Sequence, residues 1–390
     1  PGFRLGLGPE LAPRLPVALV SVAFLIFFWW RLRSEWDERV AWFASAMLAT
    51  SAGWLAYSHV AVTDLPLAAL FSAAVLLSLP YAARGERALM PAAAACLGLA
   101  ALDKGLVPLV LFLPVIAVRW RDWFRPAPLA AFAVCALPWY ILCTLRNGSE
   151  FLNVFFVQQQ FGRFSSGALQ HIQPFWFYVP AGLLLMFPWF PLLGLAGRKW
   201  ADPRVRVLAY VAIFGFIFFS ASVNKLPSYV LPLVPAVLVL CAIGLADRER
   251  AGWWLVAPIV LISALPMLPA VVAGSLARGL SSVRTTFNWT EIAALVVVAL
   301  ALGVIASWQL SRDVAFGLAA VLIASGLLWF EQRTFPLIDR LASARPQWQV
   351  YHLKCDPGET RNLAYGLYYY SESKLPDCSI LDRNGTAGVR

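Results

Sequence analysis

Charged residues are scarce in this chain. Only 13% of its 390 residues are Asp, Glu, Lys or Arg, whereas a soluble domain carries about a quarter. Hydrophobic residues make up 60% of the sequence, and the mean hydropathy is +0.70. This composition excludes a water-soluble globular protein and predicts one that crosses a membrane several times.

Motifs that would define other functional classes are also absent. The sequence has no phosphate-cradling P-loop, no HExxH motif and no CxxC pair. Its three histidines, His59, His171 and His352, are too dispersed to define a metal site. No acidic residue lies in the middle of an apolar run, which argues against a proton-coupled transporter.

The formal net charge of +10 does not indicate a nucleic-acid partner. Lys and Arg are spread over short loops, as the positive-inside bias of membrane proteins requires. The aromatic and basic stripe that single-stranded nucleic acid needs is lacking. We therefore expect no nucleic-acid binding, and membrane lipids as the surrounding partner.

The chain begins with Pro1, and its first apolar run has no signal-peptide cleavage pattern. We expect the sequence to be a fragment that lacks its true N-terminus. A helix and an outer loop upstream would then hold further chemistry.

Long apolar runs, by contrast, are abundant. Runs of roughly 18 residues or more predict transmembrane helices, and they recur from Leu15 to Phe330. We predict an all-α polytopic membrane domain over 1–330, with a C-terminal tail, 331–390, that forms a small α/β or β segment. The twelve predicted spans are 14–30, 39–59, 64–83, 88–102, 105–119, 127–145, 174–196, 205–222, 227–246, 252–273, 289–308 and 313–330.

The charges of the loops predict the orientation of these spans. One set of alternate loops carries fifteen Lys and Arg residues and the other carries six, so the first set is expected in the cytoplasm. Both ends of the chain then face outward. The six outward cations are Lys104, Arg146, Arg163, Lys225, Arg278 and Arg284.

Polar residues that could carry chemistry lie on this outer side. His59 and Asp64 stand between the second and third spans. Asp64 precedes Leu65-Pro66, so it is either a helix N-cap or a carboxylate that orients a reacting hydroxyl, and the two roles are compatible. Lys104 follows Asp103 before Gly105, which fits either a tight turn with a local ion pair or a cation that attracts phosphate.

The longest loop between spans, 146–173, has its own pattern. Aromatic residues at helical spacing precede Gln158, Gln159 and Arg163, and His171 follows them. The pattern predicts an amphipathic helix at the membrane surface, which is either a plain anchor or a surface that binds sugar or phosphate.

Lys225-Leu226-Pro227-Ser228-Tyr229 joins the eighth and ninth spans. A cation, a helix-starting proline and a phenol at a membrane surface suit a lipid-linked phosphate. The alternative is a lone boundary lysine that extends its ammonium group into water.

The cysteines divide between the spans and the tail. Cys96, Cys135, Cys143 and Cys241 fall in spans, where they are expected to pack. Cys355 and Cys378 lie in the outward tail, where an oxidising compartment allows a disulfide. Between them, a turn at Asp356-Pro357-Gly358 and the aromatic run Tyr365–Tyr370 predict a turn followed by a strand.

Taken together, the outer segments resemble the bacterial branch of the protein O-mannosyltransferase superfamily, the lipid-linked-sugar glycosyltransferases that include the lipid A aminoarabinose transferase. Any one motif is weak, but the ordered set, over about residues 14 to 245, is specific. The stretches that carry the resemblance are Ala56-Tyr57-Ser58, Thr63-Asp64-Leu65-Pro66-Leu67, Asp103-Lys104-Gly105, Leu137-Pro138-Trp139-Tyr140, Phe155–Phe164, Gln173–Tyr178, Phe187-Pro188-Trp189 and Asn224–Pro232.

The resemblance implies a GT-C glycosyltransferase of the bacterial inner membrane that inverts the sugar's configuration, with or without a divalent metal. Its donor would be a polyprenyl-phosphate-linked sugar and its acceptor a lipid, glycan or protein, on the periplasmic face. Asp64 would be catalytic. The resemblance also implies that the donor phosphate is bound by Arg163, Lys225, Tyr229 and Lys104, and that the substrates are bound by His59, Gln158, Gln159 and His171.

This chain departs from the family pattern in two respects. Relatives often have Glu-His where this sequence has Gln158-Gln159, which removes one expected metal ligand. The family's usual catalytic acid lies in the first outer loop, upstream of this sequence.

Two rival functions remain open. One is a transporter or flippase of lipid-linked saccharide, for which internal repeats and midplane polar groups are expected. The other is a non-catalytic membrane subunit.

Overall fold

The computed structural model describes residues 3–118, 120–155, 172–248, 252–278, 289–351, 355–358 and 361–378. Within these ranges every regular element is helical, as the composition predicts. The α-helices are α1 (Leu11–Glu35), α2 (Glu38–Ala49), α3 (Ala52–Ser58), α4 (Asp64–Arg84), α5 (Met90–Lys104), α6 (Val107–Leu111), α7 (Leu113–Val118), α8 (Pro126–Leu152), α9 (Tyr178–Leu185), α10 (Pro203–Ala221), α11 (Val234–Ala246), α12 (Gly252–Ser263), α13 (Pro269–Arg278), α14 (Trp289–Gln309), α15 (Arg312–Ala342), α16 (Arg345–Tyr351) and α17 (Arg361–Ser371).

The protein is a multi-pass membrane protein, but the predicted number of twelve spans is not confirmed. Six described helices are long and apolar enough to cross a membrane, or seven if a pair bent by 72° within 252–275 counts as one span. The predicted span 105–119 is two short helices, α6 and α7, with Pro108 and Pro114 near their starts. Proline lacks the amide that would continue a helix, which explains the break.

Helix α4 lies at the centre of the first of two compact units, which comprises residues 1–259 and 303–321. It packs against α1, α5, α10 and the 3-10 helix Pro227–Leu233. Its most apolar window is 89% buried, whereas that of α8 is only 11% buried. An all-round apolar helix such as α4 belongs inside a bundle, and the exposed apolar surface of α8 suits contact with lipid.

Small residues allow the helices of this unit to approach closely. A Cβ atom added at Gly98 of α5 would lie 2.8 Å from the carbonyl oxygen of Phe132 in α8. Gly105 ends α5 with a φ of 63°, which a side chain would disfavour. The predicted turn after Lys104 is therefore present, and it leaves Lys104 as the last residue of α5.

The second compact unit comprises residues 260–302 and 322–390. This division differs from the predicted boundary at residue 330. The assignment of 1–330 and 331–390 as separate domains stays a prediction. The predicted strand at Tyr365–Tyr370 is wrong, because this run lies within α17. Leu363 and Leu367 are buried against Ala344 on one face of that helix. Their spacing of four residues follows the helical period. The neighbouring tyrosines favoured a strand in the sequence and so outweighed this helical pattern.

The described part of the tail thus lacks the expected strands, and its only β pairing is an isolated bridge between Asp356 and Asp377. A disulfide joins Cys355 to Cys378, the pairing that the sequence suggested. Cys241 is buried and reduced, as expected of a packing cysteine.

Candidate functional site at the start of helix α4

Three predicted site residues meet where α4 begins and α5 ends. The Nζ atom of Lys104 lies 2.5 Å from Oδ1 of Asp64. The same ammonium group lies over the ring of Tyr229, 4.9 Å from its centroid. A cation over an aromatic face is attracted by the ring quadrupole. The fold therefore places a carboxylate, an ammonium group and a phenol in one cluster.

Asp64 does not occupy the N-cap position of α4. That position belongs to Thr63, whose side chain makes no capping hydrogen bond, and Asp64 is the first helical residue. The capping interpretation is therefore wrong, although a carboxylate in the first turn still complements the helix dipole. With its side chain 14% exposed, Asp64 remains accessible.

Three further residues complete this cluster. A hydrogen bond joins the side chains of Tyr57 and Ser228, which links α3 to the 3-10 helix that carries Tyr229. The Oδ2 atom of Asp103 is buried and lacks a hydrogen-bond partner among the described residues. The sequence alone assigns no role to Tyr57 or Ser228 and offers Asp103 only a local ion pair with Lys104, although all three stand within the quoted motifs.

Lys225 is buried, with only 4% of its surface exposed. Its ammonium group donates to the backbone carbonyls of Gln173, at 3.1 Å, and Ser222. An isolated bridge between Ile172 and Asn224 aligns the two segments. No carboxylate pairs with Lys225 in the part of the chain that the structure describes. The alternative of a lysine extended into water is therefore wrong.

The remaining predicted residues are not brought into this cluster by the contacts described. His59 is exposed, and its Nδ1 atom lies 2.8 Å from the Leu55 carbonyl of the preceding helical turn. Gln158, Gln159, Arg163 and His171 lie outside the described residues, so their predicted roles stay predictions.

The sequence analysis missed a charged cluster at the other end of α4. The carboxylate of Glu35, whose side chain is 1% exposed, pairs with Arg31, with Arg84 at 3.1 Å and with Arg204 at 3.7 Å. Arg31 and Glu35 lie at the end of α1, Arg84 at the end of α4 and Arg204 at the start of α10, where the sequence predicted only short loops whose charges set the orientation. The only available signal was Glu35 itself, an acidic residue among basic ones at the end of an apolar run.

A second ion cluster lies in the link between α7 and α8. Tyr81 donates a hydrogen bond to Asp122, and Arg87 and Arg125 pair with the same carboxylate. The hydrogen bond from Tyr81, together with those from the two arginines, lowers the pKa of Asp122. Both clusters join helix ends and lie far along α4 from Asp64.

Comparison with known proteins identifies similar sequences and a similar fold. Residues 6–147 match the family model described as dolichyl-phosphate-mannose-protein mannosyltransferase. The structure also superposes on a crystal structure of ArnT from Cupriavidus metallidurans bound to undecaprenyl phosphate, with a TM-score of 0.74. That match has 23% sequence identity and covers 96% of this chain and 73% of the other. The apo form of the same ArnT gives a TM-score of 0.72 at 22% identity, over 100% and 79% of the two chains.

The chain shares the fold of ArnT and resembles curated arabinosyl transferases in sequence.

Two curated relatives support that relationship. Both are named undecaprenyl phosphate-alpha-4-amino-4-deoxy-L-arabinose arabinosyl transferase. The protein from Pseudomonas fluorescens is 30% identical over 264 residues, 62% of this chain, and that from Aeromonas hydrophila is 30% identical over 256 residues, 60% of this chain. In both cases the match covers 46% of the relative, so the chain spans about half the length of these curated relatives.

The donor atoms in the described part of the chain do not define a metal site. Asp64 and Asp103 are the carboxylates of the cluster, and no group of three His, Cys, Asp or Glu residues suited to a metal occurs in the described ranges. Gln158 and Gln159, where the family resemblance implies a Glu-His pair, lie outside the described residues. We therefore assign no step of a reaction to a metal.

Proposed function

We propose that this chain is an integral-membrane glycosyltransferase that moves a sugar from a polyprenyl-phosphate donor to an acceptor at the periplasmic face of the bacterial inner membrane. The names of the curated relatives support an undecaprenyl-phosphate-linked pentose as the donor. ArnT, which shares this fold, was crystallised with undecaprenyl phosphate. A lipid acceptor fits a site at the membrane surface.

Lys225 is the observation that carries this proposal. A buried ammonium group without an anionic partner is unfavourable unless it is compensated. Among the described residues, two backbone carbonyls accept hydrogen bonds from the Lys225 ammonium group. An ammonium group has three N–H donors, so one donor is left for a ligand. An anionic phosphate at the third donor would supply the missing countercharge. The group is held in place by the backbone, so it does not need to reorganise when the ligand arrives.

The proposed reaction uses the cluster as follows. A hydroxyl of the acceptor attacks the anomeric carbon of the donor sugar, and Asp64 takes the proton of that hydroxyl as a general base. The bond between the anomeric carbon and the phosphate oxygen breaks, and its electron pair stays on the phosphate. Lys225, Lys104 and Arg163 stabilise the charge that develops on this leaving group, with the phenol of Tyr229 beside them.

The orientation and the remaining residues are part of the same proposal. The tail 331–390 would face the periplasm, an oxidising compartment where the disulfide between Cys355 and Cys378 persists. His59, Gln158, Gln159 and His171 would contact the sugar or the acceptor. The domain over 1–330 would hold the whole donor site.

Binding of undecaprenyl phosphate to the purified chain in lipid nanodiscs tests the proposal. Lys225→Met keeps the length of the side chain and removes its charge. We expect it to weaken binding at least about tenfold, because charge-assisted hydrogen bonds contribute about 1.5–3 kcal/mol. Lys199→Met is the control, because Lys199 is exposed and pairs with Asp247 at the other end of the bundle. Equal affinities for Lys225→Met and the wild type would refute the phosphate site.

A further inference from the structure

The proposed roles of Asp64 and Lys104 compete for one interaction. A general base must offer an oxygen lone pair to the acceptor hydroxyl, yet Oδ1 of Asp64 lies 2.5 Å from the Lys104 ammonium group. A phosphate-binding lysine must turn its ammonium group towards the phosphate, yet that of Lys104 faces Asp64. Because the carboxylate and the ammonium group pair with each other, neither group is available to the acceptor hydroxyl or to the phosphate.

We propose that Lys104 exchanges partners when the donor binds. This inference rests on the proposed function. The phosphate of the polyprenyl-phosphate sugar draws the ammonium group of Lys104 away from Asp64, and the carboxylate becomes available as a base only when donor is present. Without donor the base stays neutralised, so the site does not activate an acceptor or a water molecule to no purpose.

The geometry of the three residues permits this exchange. Lys104 is the last residue of α5 and is followed by Gly105, so its flexible side chain leaves from a helix end. The ring of Tyr229 lies under the ammonium group and can remain in contact as the group turns. The N-terminus of α4 stabilises the charge of Asp64 after Lys104 has left.

The charges also balance through one reaction cycle. The donor is a phosphodiester with one negative charge, and breaking its bond to the sugar leaves a phosphomonoester with one more. The proton of the acceptor hydroxyl passes to Asp64, which becomes neutral and no longer competes for Lys104. When Asp64 loses that proton to water, the carboxylate attracts Lys104 again, which favours release of polyprenyl phosphate.

Binding of undecaprenyl phosphate, without sugar, to the chain in nanodiscs distinguishes exchange from a fixed ion pair. Asp64→Asn removes the carboxylate that competes with the phosphate for Lys104. We therefore expect undecaprenyl phosphate to bind roughly fivefold more tightly, a gain that matches the strength of a half-buried ion pair. Glu86→Gln is the control, because it also removes one carboxylate, from an exposed ion pair with Arg84 at the other end of α4. We expect its affinity to stay within about twofold of the wild type.

A charge-conserving variant keeps the test valid if Asp64→Asn folds poorly. Asp64→Glu retains a carboxylate that competes for Lys104, so its affinity should stay close to that of the wild type. If the wild type binds undecaprenyl phosphate and Asp64→Asn binds it no more tightly, the exchange is refuted and the proposed function stays intact. If neither the wild type nor Asp64→Asn binds, the proposed function fails and the exchange fails with it.

Discussion

Replacing Glu35 with Gln should destabilise the bundle more than any other change of a single acidic residue at that end of α4. The carboxylate of Glu35 is 1% exposed, and the side chain of its partner Arg31 is 4% exposed. Removing one partner of a buried ion pair leaves an uncompensated charge and costs about 3–5 kcal/mol. Arg84, which is 44% exposed, regains water when Glu35 is lost, so most of the loss comes from Arg31. We expect a loss of about 3 kcal/mol.

Titration with SDS in mixed micelles, followed by tryptophan fluorescence, measures this loss as a change in the free energy of unfolding. Glu86→Gln is the control, because Glu86 pairs with Arg84 at the exposed surface and should have little effect. The double variant Arg31→Met/Glu35→Gln removes both buried charges and should recover much of the stability. Equal losses for Glu35→Gln and Glu86→Gln, or a double variant less stable than Glu35→Gln, would refute the reasoning.

Three further predictions concern the site, the packing and the tail. Arg163→Ala should lower the rate of sugar transfer at least about tenfold, because it removes a charge that stabilises the leaving phosphate; wild-type rates in a proteoliposome assay would remove the assignment. Gly98→Val should lower the thermal midpoint in detergent, because its side chain meets the backbone of Phe132, and an unchanged midpoint would contradict the close approach. Peptide mass mapping should find Cys355 linked to Cys378, whose joint replacement by Ser should cost about 3 kcal/mol; free thiols at both positions would contradict the pairing.

The helical architecture was predictable because it follows from composition. A chain with so few charges and so many apolar runs must satisfy its backbone inside helices when lipid surrounds it. The number of spans was not predictable to the same degree. Apolar runs interrupted by proline, such as 105–119, have the composition of a span but break into shorter helices.

The face of the site was predictable, whereas its internal pairing was not. Loop charges and span order placed Asp64, Lys104 and Tyr229 on one side of the membrane. The ion pair between Asp64 and Lys104 depends on how closely the end of α5 approaches the start of α4, which is set by packing over the full length of both helices. The carbonyl partners of Lys225 could not be predicted either, because every residue has a backbone carbonyl and the sequence does not indicate which of them lies near the ammonium group.

The tail and the Glu35 cluster show two other limits of the sequence. In α17 the buried Leu363 and Leu367 keep the helical period, but the adjacent tyrosines have high strand propensity and suggested a strand. At Glu35, the excess of arginine suggested a cytoplasmic loop and concealed a pairing between residues far apart in the chain.

Photocrosslinking with an undecaprenyl phosphate that carries a diazirine on its first isoprene unit tests the central claim most directly. The chain in nanodiscs is irradiated and digested, and the labelled peptides are identified by mass spectrometry. The account predicts labels in the segments around Lys104 and Lys225–Tyr229, which an excess of unlabelled undecaprenyl phosphate prevents. Labels around Arg31, Arg84 and Arg204 instead would place the phosphate at the opposite end of α4 and contradict the account.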